Sequence, residues 1–327
     1  MRKKITALLM IALLTVLTLG GCKSGSSGAS TGSGGKILCL CTDLSDTFLG
    51  TLFGAMKTHA SSLGATVDIV ETGGSVEEQA NQVAAAKAAG YTAIIMRLAD
   101  ASTALQMNVA SNDIPIIYVN SQPSDEHLTA NKYIFAGSSE EQAGQYQAEY
   151  VLSKLGNPKS LNVIIFEGEP GHAGTIGRTK AVKETLKASG CTANYVFVDY
   201  ANWSADTAAY KLGIFMKTGQ SVDAIFCNND NMAIGAIEGM KKYGLDYTKI
   251  PVCGVDATTD GCASIEAGEM AFTVLQDADG QALAAVQAAV ALGNGGTIEG
   301  IEYAESDGKY IYVPFTPVTA SNVSQYK

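Results

Sequence analysis

Histidine, tryptophan and cationic side chains are all scarce in this chain. It carries three His, one Trp, and 22 Lys plus Arg against 32 Asp plus Glu. The formal net charge is −10, and it becomes −13 if Arg2, Lys3 and Lys4 leave with the leader argued below. So acidic a body is a poor partner for nucleic acid. The seven cysteines form no CxxC pair and no Cys/His cluster, which argues against a zinc site and a disulfide framework. Cys39, Cys41, Cys227 and Cys253 sit in apolar runs, where a thiol behaves as a small hydrophobe; Cys191 and Cys262 fall near expected helix ends. Enzyme signatures are missing too. Gly174 and Gly177 lack the Lys and Ser/Thr of a phosphate loop, and no GxSxG elbow occurs. Glu167 and Glu169, two residues apart on one loop, are badly placed to flank a glycosidic bond from both sides. Neither catalysis nor a cofactor is expected.

No apolar run is long enough to span a bilayer. Arg2, Lys3 and Lys4 precede an apolar stretch at 5–19, which ends in Leu19-Gly20-Gly21-Cys22. A basic head, a short apolar run and small residues at its end make a secretory leader. Cys22 directly after Leu-Gly-Gly resembles the bacterial lipoprotein processing box, which implies a leader of 1–21 and acylation of Cys22. Two acyl chains suffice for stable anchoring where one does not. Residues 22–35 then read as the lipidated cysteine and a flexible Gly/Ser tether that cannot bury a core. The expected location is extracytoplasmic, with the membrane reached by the lipid anchor alone.

From Lys36 onward the chain alternates regularly. Apolar, β-branched runs fall at 37–41, 67–70, 93–96, 114–119 and 134–136, and a second series at 163–166, 195–198, 224–227 and 252–255. Helical segments separate them. Ser75 with Glu78 makes a capping box, Val76, Ala80, Val83 and Ala84 repeat at helical spacing, and Gly90 closes that helix. Ser139 with Gln142, and Ser204, mark two further starts. Strand and helix in alternation predict parallel sheets covered on both faces. About 290 residues exceed one usual core, so two doubly wound α/β lobes are expected. The lobes are assigned to 36–137 plus 277–311 and to 138–276 plus 312–327, with three crossings between them, and the molecule is expected to be a monomer.

In open parallel sheets, ligands bind beyond the carboxyl ends of the strands. The residues that follow each strand are Asp43 to Phe48, Arg97, Asn120, the stretch "FEGEPGHAGTIGR" at 166–178, Asn202-Trp203, Asn228-Asn229-Asp230, and Asp256. Acids and amides can grip adjacent hydroxyls, Arg offers a planar fork of donors, and Phe and Trp offer flat apolar faces. That set suits a polyol ring.

These residues carry a resemblance. "GEPGH", "NNDNMAIGAIEGMK", "VCGVDA", "TVLQDADGQA" and "YVPFTPV" are similar, in order and spacing, to the periplasmic sugar-binding proteins of ABC importers, most closely the galactose/glucose-binding group. The resemblance covers about 37–326 and implies a type I two-lobed fold joined by a three-strand hinge. It implies a ring sandwiched between Phe48 and Trp203, with contacts from Asp46, Asn120, His172, Arg178, Asn229 and Asp256. It further implies a monosaccharide ligand and an ABC permease as partners. Three departures stand out: Gly174 replaces an Asp, Gln276 replaces an Asn, and Arg97 replaces a small polar residue. They suggest a substituted or acidic sugar, unless Arg97 merely pairs with Asp100. The chain 153–162 has no carboxylate where one member of the group binds calcium, so no metal is expected. A lactose-type repressor would need an N-terminal DNA-binding module, which the leader and tether displace. A sugar sensor presenting ligand to a membrane kinase or chemoreceptor is the alternative use of the same closed form. Blander roles stand beside these: Asp46 and Asp256 as helix caps, His172 as a plain surface histidine, Arg178 paired with Glu184, Trp203 in a core, and Asn228 as the structural member of its pair.

Overall fold

The computed structural model describes residues 34–326. The leader and Cys22 lie outside the described residues. Gly34 and Gly35 already belong to the body: the Gly34 amide donates to the Gly64 carbonyl and the Thr66 amide to the Gly35 carbonyl, each at 3.0 Å. The tether expected to run to 35 therefore gives way to folded chain two residues earlier.

The first lobe is built on β1 (Lys36–Cys41), β2 (Thr66–Glu71), β3 (Ala93–Met96), β4 (Ile116–Val119) and β5 (Tyr133–Gly137), interleaved with α1 (Thr47–Ser62), α2 (Val76–Ala86) and α3 (Ala104–Ala110). The second uses α4 (Glu140–Lys154), β6 (Ser160–Glu167), α5 (Ala173–Ala188), β7 (Thr192–Tyr200), α6 (Ala205–Met216), β8 (Ala224–Cys227), α7 (Asp230–Tyr243), β9 (Val252–Cys253) and α8 (Thr259–Glu266). The chain then passes through β10 (Thr273–Leu275), α9 (Ala278–Gly293), β11 (Tyr310–Tyr312) and β12 (Thr316–Val318). Strand order is β11-β5-β4-β3-β1-β2 in the first sheet and β7-β6-β8-β9 in the second, all parallel. β10 and β12 form an antiparallel ribbon.

Apolar runs become strands here because both faces are buried. Ile37, Cys39 and Cys41 point into one core with α1 and α9, while Leu38 and Leu40 point into another under α2 and α3. In the second lobe Ile164 and Phe166 face one core, and Val163 and Ile165 the other. The six described cysteines are all buried. No described helix is long and apolar enough to cross a membrane.

Two expectations need correction. Ser139 starts α4 but its side chain makes no capping bond; Gln142 Oε1 instead receives the Phe315 amide at 3.0 Å, where the chain enters the second lobe. In α2 the capping box forms, yet Ala84 is exposed, and the buried face is Gln79, Val83 and Ala86. Tyr312 still pairs with Gly137 and Val313 packs in the first lobe's core, whereas Phe315 packs in the second's.

Candidate functional site

Both sheets carry their reversal of strand order next to the same cavity. In the first, β1 lies between β2 and β3; in the second, β6 lies between β7 and β8. Such switch points leave a crevice at the carboxyl ends of the strands. A cavity of about 270 Å³ opens there. Asp46, Phe48, Arg97 and Asn120 line it from the first lobe, and His172, Arg178, Trp203, Asn229, Asp256 and Gln276 from the second. The structure thus brings all ten sequence-selected side chains to one place.

Unusual backbone builds this rim. Asn120, Asn202, Trp203 and Asp256 all have positive φ, at 59°, 51°, 63° and 115°. L-residues seldom adopt such angles, least of all a bulky one, and they persist only where the surroundings fix them. For Trp203 one fixing element is Gly168. A Cβ on Gly168 would collide with the six-membered ring of the indole. The ring also meets His172 edge-on, with centroids 5.2 Å apart.

His172 caps α5, and its state can be read from its partners. The Gly174 amide donates to Nδ1 at 3.0 Å, so the proton sits on Nε2, which donates to Asn120 Oδ1 at 3.2 Å. Burial, helped by Arg97 and Arg178, pushes the imidazole well below its usual range, so it is neutral. A Cβ at Gly174 would stand 3.1 Å from that same Nδ1, a contact tight enough to disturb it. The glycine at this departure from the resembled group therefore fits the local packing.

Arg178 is held on three sides. Nε donates to Glu140 Oε2 at 2.6 Å, Nη1 to the Asn228 carbonyl at 2.6 Å, and Nη2 to Gln276 Oε1 at 2.8 Å. Asp256 lies 3.8 Å from Nη1. Burial works against its charge, but Glu140 and Asp256 more than compensate, and the guanidinium stays charged. Its partner is Glu140, not Glu184. Gln276 Nε2 is buried without a partner, as is Glu140 Oε1.

The acids divide by environment. Asp46 caps α1, accepting the Leu49 amide at 2.9 Å, and burial raises its pKa. Asp256 caps nothing; burial and the neighbouring Asp230 push it well up, with Arg178 opposing. Asp230 sits behind the wall, accepting from Thr258 N, Thr258 Oγ1 and Thr273 Oγ1. Desolvation lifts it to about 7. Gly254 and Gly261 have no room for a Cβ beside its carboxylate. Asn228 does not line the cavity; its Oδ1 accepts the Gly168 amide. Asn229 does, while capping α7 through the Met232 amide.

Arg97 corrects a further expectation. It pairs with Glu169 of the opposite lobe at 2.6 Å, and Asp100 is occupied in capping Ser102. Glu169, Asp43, Ser45 and Asn231 also line the cavity; the first three fall within the strand-end stretches read from the sequence without being singled out as ligand contacts, and Asn231 lies just beyond one. Glu169 stands three residues before His172 on the same loop, and Asn231 follows Asp230, so proximity to selected residues was the available signal. No group of His, Cys, Asp and Glu among the described residues could hold a metal ion.

Comparison with known proteins agrees with this geometry. The family model described as a periplasmic binding protein domain matches residues 37–297. A Rhizobium meliloti protein named for rhizopine binding is 32% identical over 86% of this chain and 89% of its own. The D-galactose/methyl-galactoside binding periplasmic protein of Haemophilus influenzae is 26% identical over 92% of this chain and 95% of its own. Among solved structures, an ABC transporter solute binding protein from Bacillus halodurans with bound myo-inositol aligns with a TM-score of 0.79 and 28% identity. It covers 91% of this chain and 98% of that one. With the parallel double-wound sheets and the interlobe cavity described above, these matches establish that the chain belongs to the periplasmic binding protein family.

Proposed function

We propose that this protein captures a neutral ring polyol of monosaccharide size outside the cytoplasm and delivers it to an ABC permease. The observation that carries this reading is one cavity in which Phe48 and Trp203, from different lobes, share walls with Asp46, Asn120, Asn229 and Asp256. Its volume, about 270 Å³, lies just under the roughly 300–1,000 Å³ of ordinary small-molecule pockets, which favours a single ring. Relatives named for galactose and rhizopine, and one solved with myo-inositol, support the same ligand class. Hydrogen bonds to charged groups contribute about 1.5–3 kcal/mol each, so a few of them suffice for micromolar binding after ordering costs.

Ligand touching both lobes binds the closed form better and shifts the population toward it. The lobes we assign are 36–137 with about 277–313, and 138–276 with about 314–327. Cys22, acylated after removal of 1–21, would tether the body to the membrane. Titration calorimetry of the purified protein with D-galactose, D-glucose and myo-inositol tests the ligand class. Micromolar or tighter binding of at least one is expected, and indifference to all three rejects it. Cys22→Ser should move the protein from the membrane fraction to the soluble one.

A further inference from the structure

The Arg97–Glu169 pair bears on which polyols this cavity accepts, and it rests on the function proposed above. Arg97 extends from the end of β3, and Glu169 from the loop after β6, so their ion pair spans the two lobes. The Arg97 side chain is 7% exposed and that of Glu169 44%. Arg97 Nη2 meets Glu169 Oε2 at 2.6 Å, and Nε reaches Asn120 Oδ1 at 3.4 Å. Arg97 is further fixed from behind: Gln79, fully buried, donates to its carbonyl at 2.8 Å and accepts the Ala99 amide.

A nearly buried guanidinium facing a ligand cavity would, unaccompanied, draw in a carboxylate, because its planar fork matches that group. Here the matching carboxylate is supplied by the protein. An acidic ligand brought to Arg97 would meet Glu169 within the same few ångströms, and Asp43 lines the same cavity. The other cation, Arg178, is committed to Glu140. Neutral hydroxyls meet no such repulsion and can still accept from the remaining Arg97 N–H groups.

We propose that Glu169, by neutralising Arg97 across the cleft, is the residue that makes this cavity select neutral polyols over acidic ones. Building repulsion against the wrong ligand is a general route to specificity. The test is calorimetry with two matched pairs, D-galactose against D-galacturonate and D-glucose against D-glucuronate. The proteins compared are the wild type, Glu169→Gln and the double variant Arg97→Met/Glu169→Gln. Wild type should favour the neutral member at least a hundredfold. Glu169→Gln should shrink that ratio at least tenfold, and the double variant should restore it. Using the ratio separates selectivity from any general loss of closure. An unchanged ratio in Glu169→Gln overturns the inference while leaving the proposed function standing; a wild type that favours the acid overturns both. A wild type that binds neither member, nor myo-inositol, removes both.

Discussion

The indole of Trp203 occupies the space that any side chain at Gly168 would need. The two positions are 35 residues apart in sequence, on the loops after β6 and β7, and one makes room for the other.

Gly168→Ala should therefore displace the ring and weaken ligand binding by tenfold or more, with little change in global stability. Trp203 is the only tryptophan of the chain, so its emission reports the site directly. The variant's spectrum should differ from wild type before ligand is added, and an unshifted spectrum with intact affinity would refute the packing argument.

Removing Glu140 should be far more costly. It would leave the Arg178 guanidinium, 3% exposed, without its closest charge partner. Breaking a buried pair from one side costs about 3–5 kcal/mol. Urea unfolding of Glu140→Ala should show a loss of that order, and a loss below about 1 kcal/mol would mean that Asp256 takes over the charge.

His172 and Asp230 should bend the pH dependence of stability in opposite directions. The folded-state pKa of His172 is lowered, so the unfolded chain binds a proton that the folded one refuses. Its contribution is complete above about 6.5 and is lost as pH falls below that. Asp230 is the reverse: raised from 3.8 to about 7, it holds a proton when folded that the unfolded chain has released. Its contribution is lost as pH rises through that interval. Between about pH 4.5 and 6.5 these two slopes oppose each other, so thermal melts should show the two contributions largely offset there. His172→Gln should therefore make the melting temperature fall with rising pH across about 4.5 to 6.5, and Asp230→Asn should make it rise across the same interval. If neither variant changes the slope in that interval, other groups govern the profile.

Ser138 lies where the chain first leaves the first lobe. Its hydroxyl donates to the Val313 carbonyl at 2.7 Å and receives Gln281 Nε2 at 2.8 Å. Ser138→Ala strands the fully buried Gln281 amide, at a cost of about 1–3 kcal/mol. Adding Gln281→Leu should recover part of that loss in denaturant melts, since both partners are then apolar; purely additive losses would deny the coupling.

Sequence pattern was most informative where burial is two-sided. The runs at 93–96 and 224–227 coincide with β3 and β8 because every residue there is apolar and enclosed. It was least informative where a polar side chain serves the backbone of a distant element. Gln79 lies on the buried face of α2 because its amide holds the chain around Arg97, and hydropathy assigns it to solvent. The short ribbon of β10 and β12, three residues each with a Pro in the second, escapes a search for β-branched runs. Within the site, charge and polarity picked out individual side chains, but pairing depends on three-dimensional position: Arg97 finds Glu169, 72 residues on, over Asp100, three residues on.

The bridge between Asp256 and Leu275 joins recognition to movement. The Asp256 amide bonds to the Val274 carbonyl at 2.7 Å, and the Gln276 amide returns to Asp256 at 3.3 Å, just before the chain re-enters the first lobe at α9. Two cavity residues are thus tied to β10, one by a bridge to its last residue and one by following it directly, at a crossing between the lobes. In the hinge closure proposed above, any rotation at this crossing would carry Asp256 and Gln276 with it, so a substitution here should alter grip and swing together.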